Sequence, residues 1–312
     1  MDHYLYKPTS PVKEYYLSVS PLHHLYVAHY GVLSKPVVIF LHGGPGAASE
    51  PLCARFFNPR HYHIILFDQR GCGRSRPAGE LEENTTCNLI EDIERIRLHN
   101  NLSKIILFGG SWGASLSLLY AIKYPQNVRY YIIRGLCLMN SPDDEVFTPS
   151  LKLMYPEIWD RYTSLSRYQN PLLRAKEYFR EIQKKNQKFI NAWYDVEFKT
   201  LTPDPNDNHI KFSPSEKYLV SLLESYYYSN KFFLPSNYII KHTDAIKDIP
   251  GIIIHGRLDV ICSPRDSYTI SQKLPKAQLE MVESAGHSYY DPLITKAMVN
   301  AVKKLSSLYL KK

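Results

Sequence analysis

Cysteine is scarce in this sequence, with five residues in 312: Cys53, Cys72, Cys87, Cys137 and Cys262. They are odd in number, scattered and never spaced as C-x-x-C, which disfavours both a disulfide framework and a zinc site and points to reduced thiols. No apolar stretch approaches the length of a membrane span, and the first residues, Met1 to Pro8, contain no signal-peptide core. The expectation is a cytoplasmic protein with no membrane contact. Internal repeats and low-complexity tracts are also missing. A hydrophobic fraction of 44% nevertheless suffices for a large core, so disorder is not the default.

The net charge of +8 raises the question of nucleic acid. Its densest source is Arg174 to Lys188, where Lys184, Lys185 and Lys188 alternate with Glu177, Glu181 and apolar Tyr178, Phe179 and Ile182. That pattern is an amphipathic helix with a solvated basic face, and no nucleic-acid-binding motif accompanies it. No nucleic-acid partner is expected. Tyrosine is abundant, with 25 copies, many of them between Tyr155 and Tyr238, where they suggest aromatic packing around a pocket.

The chain is organised around Lys104 to Ala114. Ile105 to Phe108 reads as a strand buried on both faces, and it runs into Gly109-Gly110-Ser111-Trp112-Gly113, a G-x-S-x-G pattern followed by a helix. Strand, tight turn and helix make the context of a nucleophile elbow, in which the serine hydroxyl is exposed beside a helix N-terminus. Upstream, Tyr15–Ser20 and His23–Tyr30 read as two edge strands, and Val37–Leu41 as a buried strand ending in the loop His42 to Gly46. Such a glycine-rich loop leaves backbone N–H groups free for an oxyanion; it lacks the Lys-Ser/Thr of a phosphate-binding loop. The next strand, Ile64–Phe67, leads into Asp68, Arg70 and Arg74, which are read as turn and ion-pair residues bracing the neighbouring loop. Thr86 is expected to cap a helix carrying Leu89, Ile90, Ile93 and Ile96.

Strand–helix alternation stops near Leu138 and resumes with Gly251–Ile254 and Leu279–Val282. Repeated βα units predict an α/β protein with a doubly wound, mostly parallel sheet. The intervening stretch, rich in proline and aromatics, predicts an inserted helical cap. The expected division is a discontinuous core, 1–137 plus 237–312, and a cap, 138–236.

A serine hydroxyl needs a base to take its proton and an acid to orient the base. In this class of sheet the order along the chain is serine, acid, histidine. Asp259 and His287 follow successive predicted strands, where parallel sheets place their sites. Ser111, Asp259 and His287 are therefore the candidate catalytic residues, while His42 and His255 are read as loop-bracing.

At this point the sequence resembles the prolyl iminopeptidases, serine peptidases of the α/β-hydrolase fold, over essentially its whole length. The likeness rests on HGGPG at 42–46, FDQRGCGRSRP at 67–77, Asn84 to Thr86 with Asp92 to Arg95, and GGSWG at 109–113. It continues through Arg134-Gly135, His255 to Arg257 with Asp259, and Ala285 to Ser288. The resemblance implies Ser111 as nucleophile, His287 as base, Asp259 as orienting acid, and the backbone N–H groups of Gly44 and Trp112 as oxyanion donors. It also implies that Glu197 and Glu224 recognise the cationic imino group of the substrate, with Arg134 near the same pocket. The substrates it implies are peptides with an N-terminal proline, handled without metal or cofactor, and it leaves the oligomeric state open. Leu136 to Asp144, Val196, and Cys262 to Pro264 depart from the family's usual residues, so side-chain selectivity stays open, as does another hydrolase reaction such as that of an esterase or amidase.

Overall fold

The computed structural model describes residues 2–139, 147, 149–204, 206 and 211–309. Part of the stretch that departs from the family pattern, 140–144, lies outside the described residues. Eight strands are present: β1 Lys13–Ser18, β2 His24–Gly31, β3 Val37–Leu41, β4 His63–Phe67, β5 Ile105–Gly110, β6 Val128–Arg134, β7 Gly251–Gly256 and β8 Ala277–Val282. They form one sheet in the order β1-β2-β4-β3-β5-β6-β7-β8. The β1/β2 and β2/β4 pairs are antiparallel, as the edge-strand reading required, and every later pair is parallel.

Period-two alternation sends side chains from each central strand to both faces. Ile39, Leu41, Ile105 and Leu107 pack on the face covered by α1 Thr86–His99 and α2 Trp112–Lys123. Val38, Phe40, Ile106 and Phe108 pack on the opposite face with residues of α10 Pro292–Tyr309. Each such side chain, taken fully out of water, contributes about 1.5–3 kcal/mol. This two-sided burial explains why β5 is apolar throughout, and it fixes where its carboxyl end emerges.

Between β6 and β7 come α3 Pro149–Met154, α4 Pro156–Ser164, α5 Pro171–Gln183, α6 Gln187–Lys199 and α7 Pro214–Ser229. All five carry side chains of one cluster rich in aromatics, including Trp159, Tyr162, Tyr178 and Trp193. After α8 Tyr238–Lys241 the alternation resumes with β7, α9 Pro264–Ser271, β8 and α10. Among the described residues no helix is long and apolar enough to cross a membrane.

The α1 cap falls one residue earlier than expected. Thr85, in extended backbone, accepts the hydrogen bond from the Asn88 amide, whereas Thr86 begins the helix and donates its hydroxyl to the Phe232 carbonyl. A tertiary acceptor took the second threonine, which no local pattern reveals.

The loop after β4 does brace its surroundings. Asp68 accepts from the Ser49 amide and hydroxyl and from the Arg74 amide and Nε. Arg70 forms a two-pronged pair with Asp92 of α1, at 2.7 and 2.8 Å, with both side chains essentially inaccessible. Removing one partner of such a pair strands a buried charge, at a cost of about 3–5 kcal/mol. Asp92→Ala is expected to lower unfolding stability by that amount in urea titration. A change below about 0.5 kcal/mol would show that the pair does not hold the loop to the helix.

Candidate active site

Ser111 sits between β5 and α2 with φ 58° and ψ −127°, a conformation side-chain-bearing residues avoid. Two glycines make the turn possible. A Cβ on Gly109 would lie 2.2 Å from the Gly113 carbonyl oxygen, and one on Gly113 would lie 2.0 Å from the Leu41 carbonyl oxygen. The Ser111 amide donates to the Arg134 carbonyl at 2.8 Å, tying the elbow to β6. The loop after β3 lies alongside, since a Cβ on Gly43 would be 3.2 Å from Ser111 Cβ. Gly44, with φ 108°, lines the same cleft as Ser111 and Trp112.

The His42–Gly46 loop is held from behind. Gln69 donates its amide to His42 Nε2 and its side-chain nitrogen to the His42 carbonyl. Its side-chain oxygen accepts from the Trp112 indole at 2.9 Å. One glutamine thus joins the glycine loop to the first residue of α2.

Asp259 and His287 meet at the carboxyl ends of β7 and β8, with Asp259 Oδ2 2.6 Å from His287 Nδ1. Asp259 Oδ1 accepts from the Ile261 and Cys262 amides, and Oδ2 lies 3.1 Å from His255 Nε2. Burial alone would raise the Asp259 carboxyl, but His287 and His255 outweigh it and hold the group well below the carboxylate range. Burial lowers His287, and Asp259 only partly offsets this, so the ring is neutral at neutral pH. Among the described residues no hydrogen bond joins Ser111 Oγ to the His287 ring. Catalytic hydrogen bonds are often loose before substrate arrives.

Glu197 and Glu224 come together across α6 and α7. Glu197 lines the cleft with Ser111, Tyr228, Phe232 and Cys262. Glu224 is 1% exposed and accepts the Trp193 indole N–H at 2.7 Å. Burial, and then the charge of Asp259, push the Glu197 carboxyl up to about 8. Burial and Glu197 push Glu224 well above its ordinary range, a rise the Trp193 hydrogen bond moderates. Among the described residues neither has a cationic partner. Burial therefore favours the neutral, protonated form of both carboxyls while nothing cationic is beside them.

Arg134 is not among the described residues that line this cleft. It is buried beneath it, with Nη1 donating to the His287 carbonyl at 2.5 Å and its guanidinium against Gly110. The contact holds the backbone of the histidine loop. Gly135 is a site residue whose reason lay outside local pattern. At φ 59°, its missing Cβ would sit 2.9 Å from His287 Cε1 and 3.0 Å from Nδ1, so the ring occupies the space a side chain would fill. Trp193, Tyr228 and Phe232 were likewise not singled out from sequence. They belong to an aromatic surround that only folding assembles, with Tyr228 5.6 Å from Trp193 and 4.7 Å from Phe232 between ring centroids.

The family model described as alpha/beta hydrolase fold matches residues 36–291. A proline iminopeptidase of Arabidopsis thaliana is 34% identical over 97% of this chain and 82% of its own length. One from Neisseria meningitidis serogroup A is 35% identical over 96% of this chain and 98% of its own. Among solved structures, an alpha/beta hydrolase enzyme from a Medee basin deep-sea metagenome library matches with a TM-score of 0.68 at 17% identity. That alignment covers 95% of this chain and 97% of that one. A proline iminopeptidase-related protein from Thermus thermophilus matches with a TM-score of 0.65 at 19% identity, over 95% of this chain and 97% of that one. At these identities the structural matches bear on the fold alone.

Gly135→Ala is expected to lose about 1–3 kcal/mol of stability from the left-handed backbone and to press its methyl on the His287 ring. Labelling of Ser111 by a fluorophosphonate should then slow at least tenfold in protein that is still folded by circular dichroism. Wild-type labelling by folded Gly135→Ala would mean that the ring's seat does not govern the serine.

Proposed function

We propose, since the chain belongs to the proline iminopeptidase family of the α/β-hydrolase fold, that it releases proline from the N-terminus of peptides through an acyl-enzyme on Ser111. Ser111 Oγ adds to the prolyl carbonyl carbon while His287 takes the hydroxyl proton. His287 then delivers that proton to the departing amine as the C–N bond breaks. Water adds to the ester in the same way and releases proline. Asp259 holds the ring in the tautomer that presents its free nitrogen. The backbone N–H groups of Gly44 and Trp112 receive the oxyanion, a role supported by their shared cleft and by the N-terminus of α2. Arg134 acts through the His287 backbone.

The observation that carries the substrate reading is the pair Glu197 and Glu224. Two buried carboxyls without a cationic side chain, one of them lining the serine's cleft, are costly unless a ligand supplies the positive charge. The free imino group of an N-terminal proline is such a charge. An esterase acting on neutral acyl groups has no use for the pair. The reading retains the division into a core, 1–137 with 237–312, and a cap, 138–236; it is supported by the aromatic cluster between β6 and β7. It also retains action in the cytoplasm, consistent with five unpaired cysteines.

Glu197→Gln and Glu224→Gln should each lower kcat/KM for proline arylamide by about 2–5 kcal/mol, roughly thirtyfold or more, as when one member of a buried charge pair is removed. A small neutral ester should be turned over at nearly the wild-type rate by both variants. N-acetyl-prolyl arylamide should be a poor substrate of the wild type. Equal losses on both substrates would overturn the reading.

The pH profiles should separate in the same way. With neutral ester, only His287 must be unprotonated, and its lowered pKa puts the acid limb of kcat/KM below that of an ordinary imidazole. With proline arylamide, kcat/KM should already fall below about pH 8, where Glu197 of the free enzyme takes up its proton and can no longer pair with the cation. Superimposable profiles for the two substrates would remove the ionised glutamate from recognition.

A further inference from the structure

Within α6, Trp193 and Glu197 are four residues apart, one above the other on the same helical face. That face meets α7, where Glu224 is buried. The Trp193 indole reaches across and donates to Glu224 Oε2 at 2.7 Å, with Trp193 itself inaccessible to solvent. The indole is held by rings on several sides: Phe147, Tyr178 and Tyr228 have centroids at 5.6 Å and Tyr162 at 6.2 Å. Its N–H direction is therefore set by packing, and the packing is rigid because each ring is clamped by others. Trp193 Nε1 is also the one side-chain hydrogen-bond donor to Glu224 among the described residues.

We propose that Trp193 is a positioning residue for substrate recognition, its indole N–H fixing the Glu224 carboxyl beside Glu197 so that both meet one cationic group. The proposal rests on the reading of the two glutamates as the imino-group site. An indole suits this task because it is a donor only. It can stabilise a carboxylate without competing for the incoming cation and without adding a charge of its own. A lysine or arginine in its place would neutralise the pair and occupy the site. The hydrogen bond favours the ionised form of Glu224, the form that binds a cation. Because α6 supplies both the indole and Glu197, the spacing of the two carboxyls is set by one helix rather than by the mutual placement of loops.

The chain has three tryptophans, Trp112, Trp159 and Trp193, so the indole region of a 1H–15N spectrum should hold three cross-peaks, assigned by substitution. The Trp193 peak is expected to shift with pH in a titration lost in Glu224→Gln, and to move on adding L-prolinamide. Kinetically, Trp193→Phe, and a variant with benzothienylalanine at 193 that keeps the ring shape and lacks only the N–H, should raise KM for proline arylamide about tenfold. Their kcat should change less, and the acid limb of kcat/KM should move to higher pH. Hydrolysis of neutral ester should stay within about twofold. A Trp193 peak that ignores both pH and Glu224→Gln would overturn the proposal, and so would a folded benzothienylalanine variant with unchanged KM and pH profile. Those results leave the glutamate reading intact, because that reading fails only if the glutamine variants themselves do not discriminate free-amino from neutral substrates.

Discussion

A contact between two stretches of backbone governs the site. The α-carbon of Gly113 faces the Leu41 and His42 carbonyl oxygens so closely that a Cβ there would lie 2.0 and 2.8 Å from them. This draws the first turn of α2 onto the end of β3. Three consequences follow from that one approach. Ser111 is forced into its strained turn, the His42–Gly46 loop is brought against the serine, and Trp112 and Gly44 line one cleft with it. The strain at Ser111, of the order of 1–3 kcal/mol, persists because β5 is buried on both faces and cannot relax outward.

Around this contact the molecule is braced by polar groups that are fully engaged. Gln69 joins the glycine loop to Trp112, Asp68 gathers Ser49 and Arg74, and Arg70 is locked to Asp92. The Tyr227 hydroxyl reaches Asn84, whose amide nitrogen donates to the Arg70 carbonyl, so α7 is tied to the same frame. Buried polar networks of this kind are rigid when every member is paired. They explain how α7, distant in sequence from the elbow, is set at a definite distance from it.

Much of this was legible in the chain. The alternation of apolar runs and helices gave the parallel sheet, and the order Ser111, Asp259, His287 at successive strand ends identified a group of which the last two are joined by a hydrogen bond. These are signals of local pattern and spacing. Gly135 and Trp193 were opaque for a different reason. The first is small because the His287 ring, from a loop far along the chain, fills its place, and the second is oriented by side chains of other segments. Arg134 illustrates the limit from the other side. The resemblance put it near the substrate pocket, and its guanidinium also serves the backbone of His287, a partner no local reading could assign. Thr86 went to Phe232 for the same reason.

The electrostatics of the cleft can be followed from one carboxylate to the next. Asp259 is ionised because two imidazoles and two amides surround it, and its charge then bears on Glu197. Glu197 in turn bears on Glu224, so each carboxyl makes ionisation of the next harder. In so dry a space each further negative charge is disfavoured, and burial favours protons on the outer two. On the proposed reading a substrate's imino group replaces those protons, and the site is discriminating because the replacement must carry a positive charge. A neutral ligand leaves the glutamates protonated and gains nothing from them. Selectivity for a free N-terminus then follows from the same burial that makes the glutamates costly in its absence.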